Sequence, residues 1–241
     1  MLNIISTELT KMRKNKMFVI SSFIVWGFSA FLIILNPSLL DLAHTHGWFS
    51  VASPLNVVLS IMSGFVITVL IQREYQDNTI INVLTAPVAR KEFIIAKLIA
   101  WFIWHIVTLA VTIALVGLGY SIIFSETFQI SGIVRLIVGF GKLGLLSFVT
   151  FLPLLWVAIK QRKAFYPTVM FTLVFAVLLI AIADYPIFNF IPWTAVIIVS
   201  LAGSPETGIG MREIVIGLIS IFACGILSVG FACFSFSKQD Q

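Results

Sequence analysis

Charge is scarce in this chain, and acidic charge is scarcest. Only 10% of its 241 residues are Asp, Glu, Lys or Arg, where a soluble domain carries roughly a quarter. So few polar groups cannot coat a water-soluble fold of this length, and too little polar sequence remains for a soluble catalytic domain. All ten acidic residues fall in loops, termini or the ends of apolar runs. Carriers driven by protons or sodium ions place carboxylates at mid-membrane to hold the coupling ion, so such a mechanism is disfavoured. No HExxH and no GxSxG occurs, nor any pair of intramembrane carboxylates, which argues against an intramembrane hydrolase. Cysteine is nearly absent as well. Cys224 and Cys233 stand nine residues apart in one expected helix, about 13.5 Å of rise with side chains on opposite faces. They cannot bridge each other and are expected to be small buried apolar residues.

What is present is oil. The chain is 60% hydrophobic, with 22 Phe, and its mean hydropathy is +1.10. Several runs reach the ~20 residues that cross a hydrocarbon core of about 30 Å. The expected fold is an all-α integral membrane protein, one transmembrane domain over residues 1–241. Its six spans are expected at about 17–35, 53–71, 98–124, 136–159, 165–183 and 214–236. Asn36-Pro37 stops the first, Ser53-Pro54 is a natural N-cap and N1 pair for the second, and Pro153 should kink the fourth. Lys11, Arg13, Lys14 and Lys16 precede the first run, which is too long for a signal-peptide core.

Residues 2–14 are expected to form an amphipathic helix in the interface plane. Leu2, Ile5, Leu9 and Met12 line its apolar face, with Thr7, Glu8, Lys11 and Lys14 elsewhere. Between the fifth and sixth spans, residues 186–202 are strongly apolar yet short and interrupted. They predict an external re-entrant or interfacial helix begun by Pro192 and Trp193, with the indole at headgroup depth. The rival is a seventh span, which would reverse the C-terminus. Of the fifteen Lys and Arg, twelve lie on the side of the N-terminus, leaving Arg135, Lys142 and Arg212 towards the other. Both termini and the loop after span two are therefore expected in the cytoplasm. That placement also explains a pI near 9.4 without nucleic acid.

The most informative stretch is residues 72–97, charged in both signs between two apolar runs. Asp77, Asn78 or Thr79 can each cap a helix, Ile80, Ile81, Val83 and Leu84 give it an apolar face, and Pro87 ends it. A second helix should start near Arg90 and run through Phe93, Ile94 and Lys97 into span three. Two short helices with Arg73, Glu74, Asp77 and Arg90 exposed form a knob for a partner's cleft; a solvated loop whose charges only fix topology is the alternative.

Glu74-Tyr75-Gln76-Asp77-Asn78-Thr79-Ile80, followed by Leu84-Thr85-Ala86-Pro87-Val88-Ala89-Arg90-Lys91-Glu92-Phe93 and Ala96-Lys97, resembles the signature loop of type-2 ABC exporter permeases. It is most similar to the six-span subunits of bacitracin and lantibiotic resistance transporters. The resemblance implies that this loop is the cytoplasmic coupling helix that contacts an ATPase subunit. The residues carried over are Glu74, Asn78, Thr79, Pro87 and Arg90; Arg73 and Asp77, expected to be exposed beside them, are expected to share the contact. Ala89 departs from the Ser or Thr of the pattern and cannot form a capping box with Glu92, a loss of about 1 kcal/mol of local helix stability.

Other features carry less. Gly139-Phe140-Gly141-Lys142-Leu143-Gly144 matches GxGxxG by letter, but it sits inside a span with no preceding strand. Its glycines are better explained by close helix contact, at a subunit interface for instance. Nor is it a P-loop, because Leu136 stands where the first Gly belongs and Leu143 where Ser or Thr would follow Lys142. ATP and its Mg²⁺ are therefore expected on another chain, with no cofactor and no metal here. Lys142 is the one basic residue well inside a span and lies a heptad beyond Arg135. Snorkelling to external headgroups explains it; an anionic site for lipid phosphate or acidic cargo is the functional alternative. His44 and His46 are expected to be ordinary loop residues and His105 a hydrogen-bonded core histidine.

The expected function is that of a permease subunit, not an enzyme. It would export or extract an amphipathic peptide antibiotic across a bacterial plasma membrane. The expected partners are an ATP-binding subunit dimer, membrane lipids, and a second copy or a related permease. Other cargo (ions, drugs or lipids) and a non-transport scaffold or sensor are the alternatives.

Overall fold

A computed structural model describes residues 2–40, 47–76, 90–126, 128–161, 166–181, 190–202 and 209–237. Every regular element among them is helical: α1 Leu2–Lys14, α2 Lys16–Leu35, a 3-10 turn Pro37–Leu40, α3 Gly47–Gln76, α4 Arg90–Ile123, α5 Ile130–Phe151, α6 Pro153–Gln161, α7 Tyr166–Ala181, α8 Pro192–Leu201 and α9 Met211–Ser237. Five stretches are long and apolar enough to cross a membrane: Lys16–Leu35, Gly47–Gln76, Glu92–Ile123, Ile130–Gln161 and Met211–Phe236. The expected fifth span, 165–183, is met by α7, whose 16 residues rise about 24 Å, short of a hydrocarbon core. The rest of that span lies outside the described residues.

Two boundaries moved for identifiable reasons. Helix α3 begins at Gly47, not at Ser53-Pro54, and carries Pro54 inside it. Burial of Trp48, Val51 and Ala52 holds the extra turns in place. The carbonyl that Pro54 leaves without a donor is that of Ser50, an exposed residue. At Pro153 the expected kink is met as a lapse in the α-helical hydrogen bonding, with Leu152 still in the αR conformation. Helix α5 ends at Phe151, the Leu152 N–H turns back to Val149 O at 3.3 Å, and α6 begins at Pro153. Helix α4, by contrast, runs unbroken from Arg90 through the membrane stretch, as the sequence implied.

Two buried apolar clusters fill the bundle. One, towards the α1 end, gathers Met12, Ile71, Ile94, Trp101, Phe151 and Phe236. The other, further along, gathers Trp48, Leu55, Leu109, Tyr120 and Phe140. Helix α3 contributes to both. The glycines of the 139–144 run divide by face. A Cβ on Gly139 would meet Trp48 at 2.5 Å, and one on Gly144 would meet Leu109 at 2.5 Å, whereas Gly141 faces open space. The close contacts are thus inside this chain. Gly139→Val is expected to cost about 1–3 kcal/mol through overpacking and Gly141→Val almost nothing, as read from thermal unfolding of the two purified variants.

Helix α8 is ten residues long, about 15 Å, and cannot cross. It packs into the bundle, burying Thr194, Ala195, Val196 and Ile197. Trp193 departs from the expected headgroup depth. Its indole stacks on Phe175 with centroids 4.0 Å apart and donates to Thr150 O at 3.1 Å, deep in the α5–α6 span.

Candidate functional site flanking residues 77–89

Asp77, Asn78, Thr79 and Pro87, and with them the expected coupling helix, lie outside the described residues. The structure does describe both flanks. Helix α3 ends at Gln76 and α4 begins at Arg90, so each delivers one end of the segment. Arg73 is exposed near the end of α3, and Arg90 is the first residue of α4.

Glu74 is where expectation and structure part. It is buried, not displayed on a knob, with 6% of its surface exposed. The cause is a cation from the other flank. Lys97, 1% exposed, lies just under two turns into α4 and donates to Glu74 Oε1 at 3.1 Å and to Glu8 Oε2 at 2.8 Å. Lys11 donates to Glu8 Oε1 and Glu74 Oε1, both at 3.0 Å. Two carboxylates and two ammonium groups thus close a square that ties α1 to the end of α3 and the start of α4. The Lys97 ammonium also sits 4.8 Å from the Phe93 ring centroid, which adds a cation–π contact.

Burying Lys97 is tolerable because its charge is matched on the spot; an unmatched ammonium there would cost several kcal/mol. Lys11 is half-exposed. Its partial burial favours the neutral form, but the hydrogen bond to Glu74 and the charge of Glu8 outweigh that, and its pKa rises above the usual 10.5. A lysine raised in the folded state contributes stability in full below its unfolded pKa and loses it only as pH climbs through the folded value. This corner of the square therefore persists throughout the neutral range.

Glu8 corrects a second expectation. It was assigned to the polar side of α1, yet it is 2% exposed. Its position one turn before Met12 and three residues after Ile5 puts it on the inner stripe of that helix, and Lys97 occupies the corresponding stripe of α4 among Phe93, Ile94, Ala100 and Trp101. A charged residue standing at an apolar register was the available signal.

The other candidates are dispersed. Lys142 is exposed on α5 and Arg135 half-buried one heptad earlier. No described carboxylate pairs with Lys142. His105 is wholly buried; its Nε2 lies 3.1 Å from Gly144 O and its ring 5.1 Å from that of Phe148, the core histidine that was expected. His44 and His46 lie outside the described residues. Among the described residues no group of His, Cys, Asp and Glu is arranged to hold a metal.

Comparison with known proteins places this architecture. The family described as ABC-2 family transporter protein matches residues 4–179, a stretch that includes the square and both flanks of the charged segment. The bacitracin transport permease protein BCRB of Bacillus licheniformis is 29% identical over 142 residues. That alignment covers 57% of this chain and 65% of the relative, so less than two-thirds of the relative's length is matched. Permeases of the ABC-2 type are multi-pass membrane components that generally work with an ATP-binding subunit. With well over half of its length matched, this chain belongs to the ABC-2 family of transporter proteins, as a membrane permease and not a catalytic subunit.

Proposed function

We propose that this chain is the membrane half of an ATP-driven exporter, and that it expels or extracts an amphipathic peptide antibiotic of the bacitracin or lantibiotic kind. ATP, with Mg²⁺, is hydrolysed on a separate ATP-binding subunit. That subunit grips residues 72–97 on the cytoplasmic face, where both termini also lie. Asp77, Asn78, Thr79, Pro87 and Arg90 form the contact, together with Arg73. Glu74 acts from beneath it, as an anchor and not as a contact. A second copy or a related permease completes the pathway.

The observation that carries this reading is the buried square of Glu8, Lys11, Glu74 and Lys97. A push on the charged segment reaches α3 and α4 at once through the chain, and α1 through the square. The interfacial helix and two spans then move as one body, which is what a lever needs. The cargo rests on the resemblance to bacitracin permeases. Arg135 and Lys142 supply positive charge on the opposite side for an acidic group of the cargo or a lipid phosphate.

The test has two arms. Affinity purification in mild detergent is expected to recover an ATP-binding subunit with the chain, and its ATPase activity should rise with added peptide antibiotic. Cells lacking the chain should become more sensitive to bacitracin-like or lantibiotic compounds. Recovery of the chain with no nucleotide-binding partner would refute the coupling; unchanged sensitivity beside an intact complex would refute only the cargo.

A further inference from the structure

Beside the charge square, α1, α2 and α4 frame a cavity of about 240 Å³, lined on α1 by Leu9, Met12 and Arg13. Its walls run from Phe18 to Trp26 on α2 and from Ala100 to Thr108 on α4. Each is eight residues of rise, about 12 Å, so the cavity is a slot lying along the helices. Its polar wall atoms are already engaged. Trp104 Nε1 donates to Ser22 Oγ at 2.9 Å, and Trp26 Nε1 to Thr108 O at 3.4 Å. What remains is apolar lining. The slot opens sideways between Val19 and Val107, which are 44% and 52% exposed, so it is entered from the bilayer.

Arg13 lines the α1 end of this slot. It is exposed, and among the described residues no carboxylate pairs with it. The two acidic side chains of the neighbouring cluster, Glu8 and Glu74, are held by Lys11 and Lys97. Lys14 and Lys16 are exposed alongside. An unneutralised basic rim over an apolar slot complements one kind of molecule that a membrane always offers.

We propose that the α1–α2–α4 slot binds one acyl chain of an anionic phospholipid, with the lipid phosphate on Arg13. The lipid fills the wedge where the interfacial helix leaves the bundle and stiffens the joint between α1 and α2. Neither the nucleotide-driven partner nor the cargo enters this reasoning, so the slot stands or falls separately from the transport reading.

The test uses the full chain, purified in mild detergent and titrated with phosphatidylglycerol or phosphatidylcholine, bound lipid being counted by native mass spectrometry. One phosphatidylglycerol should be retained in preference to phosphatidylcholine. Arg13→Gln, a change at an exposed position, should weaken phosphatidylglycerol about fivefold, the effect of one basic residue at a membrane surface, and should weaken phosphatidylcholine less, because its own choline already neutralises the phosphate. Val107→Trp, which fills the mouth from its lipid-facing side, should lose both. A photoactivatable phosphatidylglycerol added to native membranes should label the α1 and α4 peptides. Equal retention of the two lipids, an Arg13→Gln variant that binds like the parent, or a Val107→Trp variant that still carries lipid would each overturn the proposal. So would cross-links through Val107 to a second copy of the chain.

Discussion

Lys97→Met is expected to destabilise the protein by about 3–5 kcal/mol, because it takes the Lys97 counter-charge from each buried carboxylate and leaves Glu8 and Glu74 to share Lys11. Thermal unfolding in detergent reads the loss. The second variant is more informative. Glu8→Leu with Lys97→Met removes one buried charge of each sign and leaves Lys11 with Glu74. Replacing a buried ion pair by apolar groups of similar size is often neutral or better, so most of the stability should return. Transport should not. The direct tie between α1 and α4 is gone, and ATP hydrolysis by the partner should continue while resistance falls. A double variant that is both stable and fully active would show that the square only holds the fold together.

The same residues show what a sequence discloses and what it conceals. The membrane stretches were legible because apolar runs of that length have no other stable home. Helix α4 was legible as a continuation of the charged loop because nothing between Arg90 and Lys97 interrupts a helical register. The square was half visible: Lys97 interrupts an apolar stripe on α4 and Glu8 one on α1. Their mutual partnership was not visible, since Glu8 and Lys97 are 89 positions apart and only packing of α1 against the bundle joins them. Glu74 was misassigned for the same reason. A carboxylate at the edge of a charged loop reads as exposed until a buried cation from another helix is known. The start of α3 was concealed by Ser53-Pro54, a strong local signal that burial of Trp48 and Val51 overrides. In each case burial and packing, which local chemistry does not reveal, decided the outcome.

Trp193 gives the second large effect. The last carbonyls of any helix lack the N–H donors of a following turn, and Pro153 has no N–H to offer. In the hydrocarbon region water cannot serve instead, so these groups need a partner from the protein. Trp193 provides one. Helix α8 brings its indole to Thr150 O at 3.1 Å, and the ring stacks on Phe175 as it does so. Two contributions are therefore separable. Trp193→Phe keeps a ring against Phe175 and loses the donor, which should cost about 1–3 kcal/mol for a buried carbonyl left unsatisfied. Trp193→Ala loses both and leaves a cavity, for a cost of about 3–5 kcal/mol. Thermal unfolding measures the sum, and hydrogen exchange locates it. The Ala variant should speed exchange in α8 and at the α5–α6 break while the amides near the charge square keep their protection. If the two variants are equally stable, the stacked ring contributes nothing and the docking of α8 rests on its buried Ala195, Val196 and Ile197 instead. If both match the parent, the α5–α6 break is satisfied without α8, and the indole is only a passenger.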